Sequence, residues 1–578
     1  MEERSQLSVS GLSARPLESD ETGPDARIQA LTLADDGADG SFVTAGWQGI
    51  ETIQYNPHDP VAFAGNHETL LYEPFASYDV DAREWIPHGL ESWEFDDDEV
   101  LLQLRDDLTW SDGTAVTADD LLTQFVLAFV ADDDVWEHLA GVTAVDETTF
   151  TLSLAEPVNE SSFEFLLLDR TINTPAHVFA EFFDRLNDGE EVDAVGNDLR
   201  SFELEEPVAS GPFELEERTA EYVRYATRET HPRASAIGVD GFTVEQRSSV
   251  AGHVDDLLEG TLDGLDHLLV STHELESIPD TVTELHHPGT FGYGLAFNHA
   301  DDHVGRREVR QAIALAIHTD FVADRADPRL TAVPSVPAGL ASSITDAVLG
   351  EDLEQFDPYD HDCPRATSLL ESAGYERTAD GSWVDSTGAP LSLTIQYTSG
   401  WAEWQVATDT IASQLRDFGM DVTLAPAERG LLESTLSDGD FQVTALEWNT
   451  AGVAGFNPAA SLAFQLRNRH FDSSTSFLNY PDTVEVPAMD GSDTMEVDLD
   501  AAFDLLETAP ESQADAIVRD LAWVVNQDLP MLPIYDDVRQ VLVRSDRWTV
   551  PDEVHSITDQ RQLLSWLANR GTLEPAAE

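Results

Sequence analysis

The sequence predicts an α/β protein of more than one lobe, and three observations carry that expectation. Its 578 residues exceed what one apolar core ordinarily organises, so two or three lobes are expected. The stretch "LRDDLTWSDGTAVTADDLLTQFVLA" (104–128) reads as a strand end, a tight turn and a capped helix. The stretch "LSLTIQYTSGWAEWQVATDTIASQLRDFGMDVTL" (391–424) reads as strand, helix, glycine and strand, a βαβ unit.

In chain order, residues 1–27 are polar and predict a disordered leader, without the apolar run of a signal peptide. "RIQALTL" (27–33) alternates as a strand does. Asn56-Pro57 and Asp59-Pro60 mark turns before a short helix ending near Leu70, Leu71 and Tyr72. Val100, Leu102 and Leu104 alternate with Leu101, Gln103 and Arg105, predicting a half-buried strand. Ser111-Asp112-Gly113 forms a turn in which Gly113 takes positive φ. Thr117 caps the helix that follows, with Asp120 three residues on. Leu121, Leu122, Phe125, Val126 and Phe129 form its apolar face. Residues 184–200 are acidic and weakly patterned, and predict a surface loop. Val309, Ile313, Ala316 and Ile317 stripe one helix, and Leu369 and Leu370 sit in another that closes at Gly374. Residues 482–500 predict a second acidic loop, before a helix and strand in "LAWVVNQDLPMLPIYD".

Acidic residues number 111 against 30 basic, a formal net charge of −81, and every basic residue is arginine. With 42% apolar residues, 12 Trp and 26 Phe, this composition predicts a folded protein adapted to concentrated salt. At about 1 M salt the screening length falls to roughly 3 Å, and surface repulsion fades. Without a Lys/Arg cluster nucleic acid is not an expected partner. The lone Cys363 offers neither an internal disulfide nor a Cys-based metal site. His67 opens "HETLLYE", which lacks the second His of a zinc-protease helix. "GTFGYG" at Gly289 has the wrong spacing for a dinucleotide loop, and a chain without lysine has no Walker motif. No catalytic site, metal or cofactor is expected, and binding is favoured over catalysis.

The stretch 104–125 resembles the signature of the large solute-binding proteins that feed oligopeptide, dipeptide and nickel ABC importers (extracellular solute-binding proteins, family 5). Four later segments are similar to that family in the same order. They are Asn298 with Arg310-Gln311-Ala312, "FDPYDHDCPRATSLLESAGY", the βαβ unit, and "LAWVVNQDLPMLPIYD". The composition marks a halophilic, haloarchaeal-like member.

The resemblance implies a two-lobed periplasmic-binding-protein fold of the type II class with an extra subdomain. Lobe I is expected at 28–73, 171–285 and 505–578, the inserted subdomain at 74–170, and lobe II at 286–504. The chain is expected to cross between lobes near "HHPGTFGYG" and near residue 500, and to hinge there. The implied function is substrate binding for an ABC importer, with a peptide-like or other small solute held in the interlobe cleft. Implied partners are that ligand and the permease's membrane subunits, and the protein is expected to be a monomer. The expected location is extracellular and cell-surface associated, its signal or lipid anchor lying outside this chain. Two alternatives stay open: a cytoplasmic ligand-sensing module of the same fold, and an extracellular hydrolase of unrelated mechanism.

The candidate ligand-binding residues are Trp448, Asn449, Arg429, Trp401, Tyr293 and Tyr397. They are aromatic or polar groups at strand ends, as pockets require. Trp448 matches a Trp beside the ligand in the family. Peptide-binding members place an Asp three residues further on, against the ligand's ammonium group; Ala451 stands there. Arg429 offers a planar fork for a carboxylate or phosphate. Trp404, on a helix face, is expected in the core.

Overall fold

The computed structural model describes residues 40–46, 53–59, 66–96, 98–246, 251–266, 275, 278–449, 452–467, 478–491, 494–551 and 562–577. The expected leader and the strand at 27–33 lie outside the described residues.

The "WSDG" stretch folds as its residues dictate. The strand Glu99–Leu104 buries Val100, Leu102 and Leu104, and joins Leu90–Asp96, Thr149–Leu154 and Leu139–Ala144 in a four-stranded antiparallel sheet. Gly113 turns with φ 89°, a conformation other residues rarely adopt. The helix Ala118–Val130 starts where Asp120 accepts from the Thr117 amide at 2.8 Å. The second oxygen of Asp120 accepts from the Ala176 amide at 2.8 Å, which ties in the helix Ala176–Asn187. Arg228, 1% exposed, donates to the carbonyls of Ala209, Gly211 and Thr109. That arginine fastens the stretch to the neighbouring β-sheet region, as Ser111 does through Ala209.

Among the described residues the largest sheet has eleven strands. Ser41–Gly46 and Gly241–Gln246 pair in parallel in one half, outside which Phe213–Arg218 and Tyr222–Thr227 form the end; Ser392–Thr398 and Asp421–Ala427 pair in parallel at the other end. The second pair is the βαβ unit read from the sequence, with the helix Ala402–Phe418 between its strands and Gly419 left-handed at the helix end. Two long antiparallel strands, Val282–Phe297 and Met531–Arg544, join the ends. Their register shifts between Pro288 and Gly292. At Gly292 a Cβ would stand 2.0 Å from the Tyr535 carbonyl, so only glycine fits this approach.

Apolar side chains gather in three large cores. The first combines Phe42, Leu70, Phe125 and Phe242 with Val541, Val543 and Trp566. The second combines Tyr293, Ile313, Ile395, Trp404 and Ile534. The third combines Ala296, Leu340, Trp448, Phe503 and Leu521. One end of each long strand therefore belongs to the first core. The other end divides its two faces between the second and third. The helices Leu499–Thr508 and Glu511–Asp528 pack in the third core, and the chain re-enters the first along Met531–Arg544.

Two stretches expected to be surface loops are ordered. Residues 184–200 include the helix Val192–Arg200, which buries Val195 and Leu199 one turn apart. Residues 482–500 include the hairpin Thr483–Val486 with Met495–Asp498, which buries Val484 and Val486. In both, a few apolar residues at regular spacing suffice, although acidic neighbours mask them.

Candidate ligand site at the crossing strands

Strand alternation sorts the candidates onto two faces. Phe291 and Tyr293 on one long strand share a front face with Tyr535, Asp537 and Arg539 on the other. Glu447 joins them, since it stands opposite Tyr293 in register. Gly400, at φ 96°, turns the chain from the strand Ser392–Thr398 into the helix Ala402–Phe418, which brings Trp401, Glu403 and Trp404 to the same face.

The aromatic rings form a continuous wall. Trp401 meets Trp404 edge-on at 4.7 Å, Trp404 meets Tyr293 edge-on at 5.3 Å, and Tyr293 stacks on Tyr535 at 5.4 Å. The Tyr293 hydroxyl bonds Thr408 Oγ1 at 2.8 Å, which fixes the ring. Tyr397 is buried in the same core and lies within electrostatic reach of Tyr293. Arg429 lies over the Trp401 ring at 5.2 Å, and donates Nε to Glu433 and Nη1 to Glu447, each at 2.6 Å. Arg539 lies over Phe291 at 4.6 Å.

Tyr293, Tyr397, Trp401 and Arg429 thus come together. Trp448 and Asn449 occupy a different place. Trp448, fully buried in the third core, follows Glu447 on the strand path and so faces the back of the sheet. Its indole Nε1 donates to the Tyr535 carbonyl at 3.3 Å. Asn449 donates to the Thr290 carbonyl at 2.9 Å and to Ser461 Oγ at 3.1 Å, which pins its loop to the register shift. Trp404, expected in the core, is 3% exposed and lies in it.

The front face also holds carboxylates that the sequence did not single out. Burial pushes the half-buried Asp537 carboxyl up to about 7; Arg539 draws it down, and Glu403, Asp536 and Glu447 push it further up. On the back face burial pushes Asp536 up to about 7 as well, although it accepts from the Ser342 amide at 2.7 Å. In a chain with 111 acidic residues no single carboxylate stands out. The available signal was position: an Asp-Asp pair interrupts the apolar run of a long strand.

A hollow of about 810 Å³ lies elsewhere, lined by residues within 78–93, 159–165, 344–352, 456–459 and 506–519. Its rim is bridged: Asn159 donates its amide to the Glu507 carbonyl at 2.6 Å and its Nδ2 to the Ala509 carbonyl at 3.0 Å. Ser161 Oγ donates to Glu511 at 3.0 Å. Among the described residues no group of three or more His, Cys, Asp or Glu is placed to hold a metal ion. No helix among them is long and apolar enough to cross a membrane.

Residues 84–467 match the family of bacterial extracellular solute-binding proteins, family 5 Middle. The chain is 23% identical to the nickel-binding periplasmic protein of Escherichia coli over 531 residues, 88% of this chain and 91% of that one. It is 24% identical to the periplasmic oligopeptide-binding protein OppA of the same organism over 533 residues, 86% of this chain and 87% of that one. Its fold is similar to a periplasmic oligopeptide-binding protein from Thermotoga maritima, with TM-score 0.74 and 19% identity, covering 93% of this chain and all of that one. A match over more than half of the sequence, together with this α/β fold, establishes that the chain belongs to the bacterial extracellular solute-binding proteins, family 5.

Proposed function

We propose that this protein captures a small solute in a cleft between two lobes and hands it, chemically unchanged, to an ABC permease at the cell surface. The observation that carries the reading is membership of a solute-binding family over residues 84–467. The relatives' names supply the ligand classes: one is a nickel-binding protein and another an oligopeptide-binding one. In this reading the first core belongs to lobe I and the second and third cores to lobe II, and Val282–Phe297 with Met531–Arg544 form the hinge. The second crossing therefore falls after Asp528 rather than near residue 500, because the helices Leu499–Thr508 and Glu511–Asp528 pack in the third core. The register shift at Pro288–Gly292 is where two strands can bend without breaking either core. The half-buried Trp401 faces the cleft on the lobe II side, with Trp404 and Tyr293 packed behind it. The acidic surface belongs to a monomer working in concentrated salt. A cytoplasmic sensor of the same fold and an extracellular hydrolase are both less favoured by the family match.

The test uses purified protein in about 3 M KCl, where surface repulsion is screened, and a library of peptides, nickel chelates and oligosaccharides. A true ligand raises the melting temperature by mass action, changes tryptophan emission, and shrinks the radius of gyration measured by X-ray scattering. Turnover of any bound solute, or binding with no change in dimensions, would count against the proposal.

A further inference from the structure

The front face of the crossing strands carries more negative than positive charge at short range. Asp537 feels Glu403, Asp536 and Glu447, and Tyr535 feels Asp537, Glu403 and Asp327. Two guanidinium groups stand among them. Arg429 is engaged by both Glu433 and Glu447. Arg539 lies over Phe291 and draws on Asp537. Glu403, Glu433, Glu447 and Asp537 therefore outnumber the arginines that face them.

Tyr535 supplies an independent observation. The residue is 1% exposed, and its hydroxyl has no hydrogen-bond partner among the described residues. Its ring is held by stacking on Tyr293, beside the Asp537 and Glu403 carboxylates. Buried hydroxyls are almost always satisfied, because leaving one unmade is costly. A hydroxyl held this way still has a proton and lone pairs to offer an arriving atom.

We infer that this face receives the cationic end of the ligand, an ammonium or guanidinium group held by Asp537 and Glu403 and by the Tyr535 hydroxyl. The inference rests on the solute-capture reading and names its ligand class. Charge-assisted hydrogen bonds to carboxylates in a partly desolvated site are the strong ones. The Trp401 ring, already under one guanidinium, offers a further face to a cation. An anionic ligand would meet uncompensated carboxylates instead. Asp537 lies near neutrality because burial dominates, with Glu403, Asp536 and Glu447 raising it and Arg539 opposing them. An arriving cation would drive its proton off, so binding near neutral pH releases a proton.

The experiment titrates the full chain in about 3 M KCl with trilysine, triarginine and spermidine, and with trialanine and triglutamate, both N-acetylated and C-amidated so that neither carries an ammonium group, as matched neutral and anionic probes. Calorimetry in two buffers of different ionisation enthalpy reads affinity and proton release together. At least one cationic probe is expected to bind and release a proton, and trialanine and triglutamate are not. Asp537→Asn and Glu403→Gln are each expected to weaken that probe about tenfold or more, and Asp537→Asn to abolish the proton release. Tyr535→Phe, which removes a hydroxyl without a partner among the described residues, is expected to fold normally and still weaken the cation. Equal binding of trialanine, or preference for triglutamate, overturns the inference and leaves solute capture standing. Silence from every cationic probe also overturns it, and the broader library then decides the fate of solute capture separately.

Discussion

Asp537 and Asp536 work against Glu73 in setting how stability depends on pH. Burial raises both aspartates to about 7, well above their ordinary value of 3.8. The folded state then holds more protons than the unfolded one between about pH 4 and pH 7. Their contribution is fully present below about pH 4 and is lost as pH rises through 7. Glu73 goes the other way. Burial raises it, but Arg570, Arg233 and His231 outweigh that and lower it to about 2, from 4.5. It accepts from Arg233 at 2.6 Å and from Arg570 at 3.3 Å. Its stabilisation is present above about pH 4.5 and is lost as pH falls towards 2. Asp537→Asn isolates the first effect. At about pH 8 the variant should be more stable than the parent by on the order of 1–2 kcal/mol, reduced from the full shift by the group's partial exposure. At about pH 4 the difference should vanish. Denaturant melts at both pH values measure it, and an equal difference at each would refute the assignment.

At the scale of elements, the "WSDG" stretch shows what a sequence states openly. Its strand, turn and helix start follow from period-two burial, a positive-φ glycine and a cap, all local rules. Asp120 adds a non-local role, since it caps one helix and receives the amide that opens another. Asp120→Ala should therefore cost more than an ordinary cap, about 2 kcal/mol, read as a lowered denaturation midpoint. The register shift was harder to read. Gly292 is fixed by a carbonyl from residue 535, a partner that no local window contains. Gly292→Ala should lose about 2 kcal/mol or more, because backbone gives way less easily than a side chain. Gly430 has open space around it within the helix Arg429–Ser437. Gly430→Ala, the matched control, should gain about 0.5–1 kcal/mol. A melt in which both behave alike would remove the steric account. The same limit explains the site. Aromatics at strand ends were visible, but the face each takes depends on register, so Trp401 and Trp448 parted company. Asp537, Glu403 and Tyr535 were invisible because their meaning lies in one another.

At the scale of the whole molecule, the net charge predicts that stability depends on salt. Net charge −81 is spread over a surface whose few arginines are largely committed. Arg185 pairs with Glu190 and Asp198, Arg467 with Asp504 and Glu507, and Arg544 with Asp546. Such exposed pairs contribute little each, so they do not offset repulsion among the remaining carboxylates. The first core is joined to the second and third along Val282–Phe297 and Met531–Arg544, so repulsion between the surfaces of these cores bears on that pair of strands. Screening at about 1 M salt shortens the interaction to roughly 3 Å, against about 10 Å at 0.1 M. The melting temperature should therefore climb steeply as KCl is raised from about 0.1 M to 1 M and flatten beyond, with partial unfolding at the low end. Sodium chloride should act alike if screening is the cause, whereas a requirement for one particular cation would mean that ions bind at defined sites. Circular dichroism and scanning calorimetry across both salts distinguish these outcomes. A melting curve indifferent to dilution would refute the expectation that the acidic surface is adapted to concentrated salt.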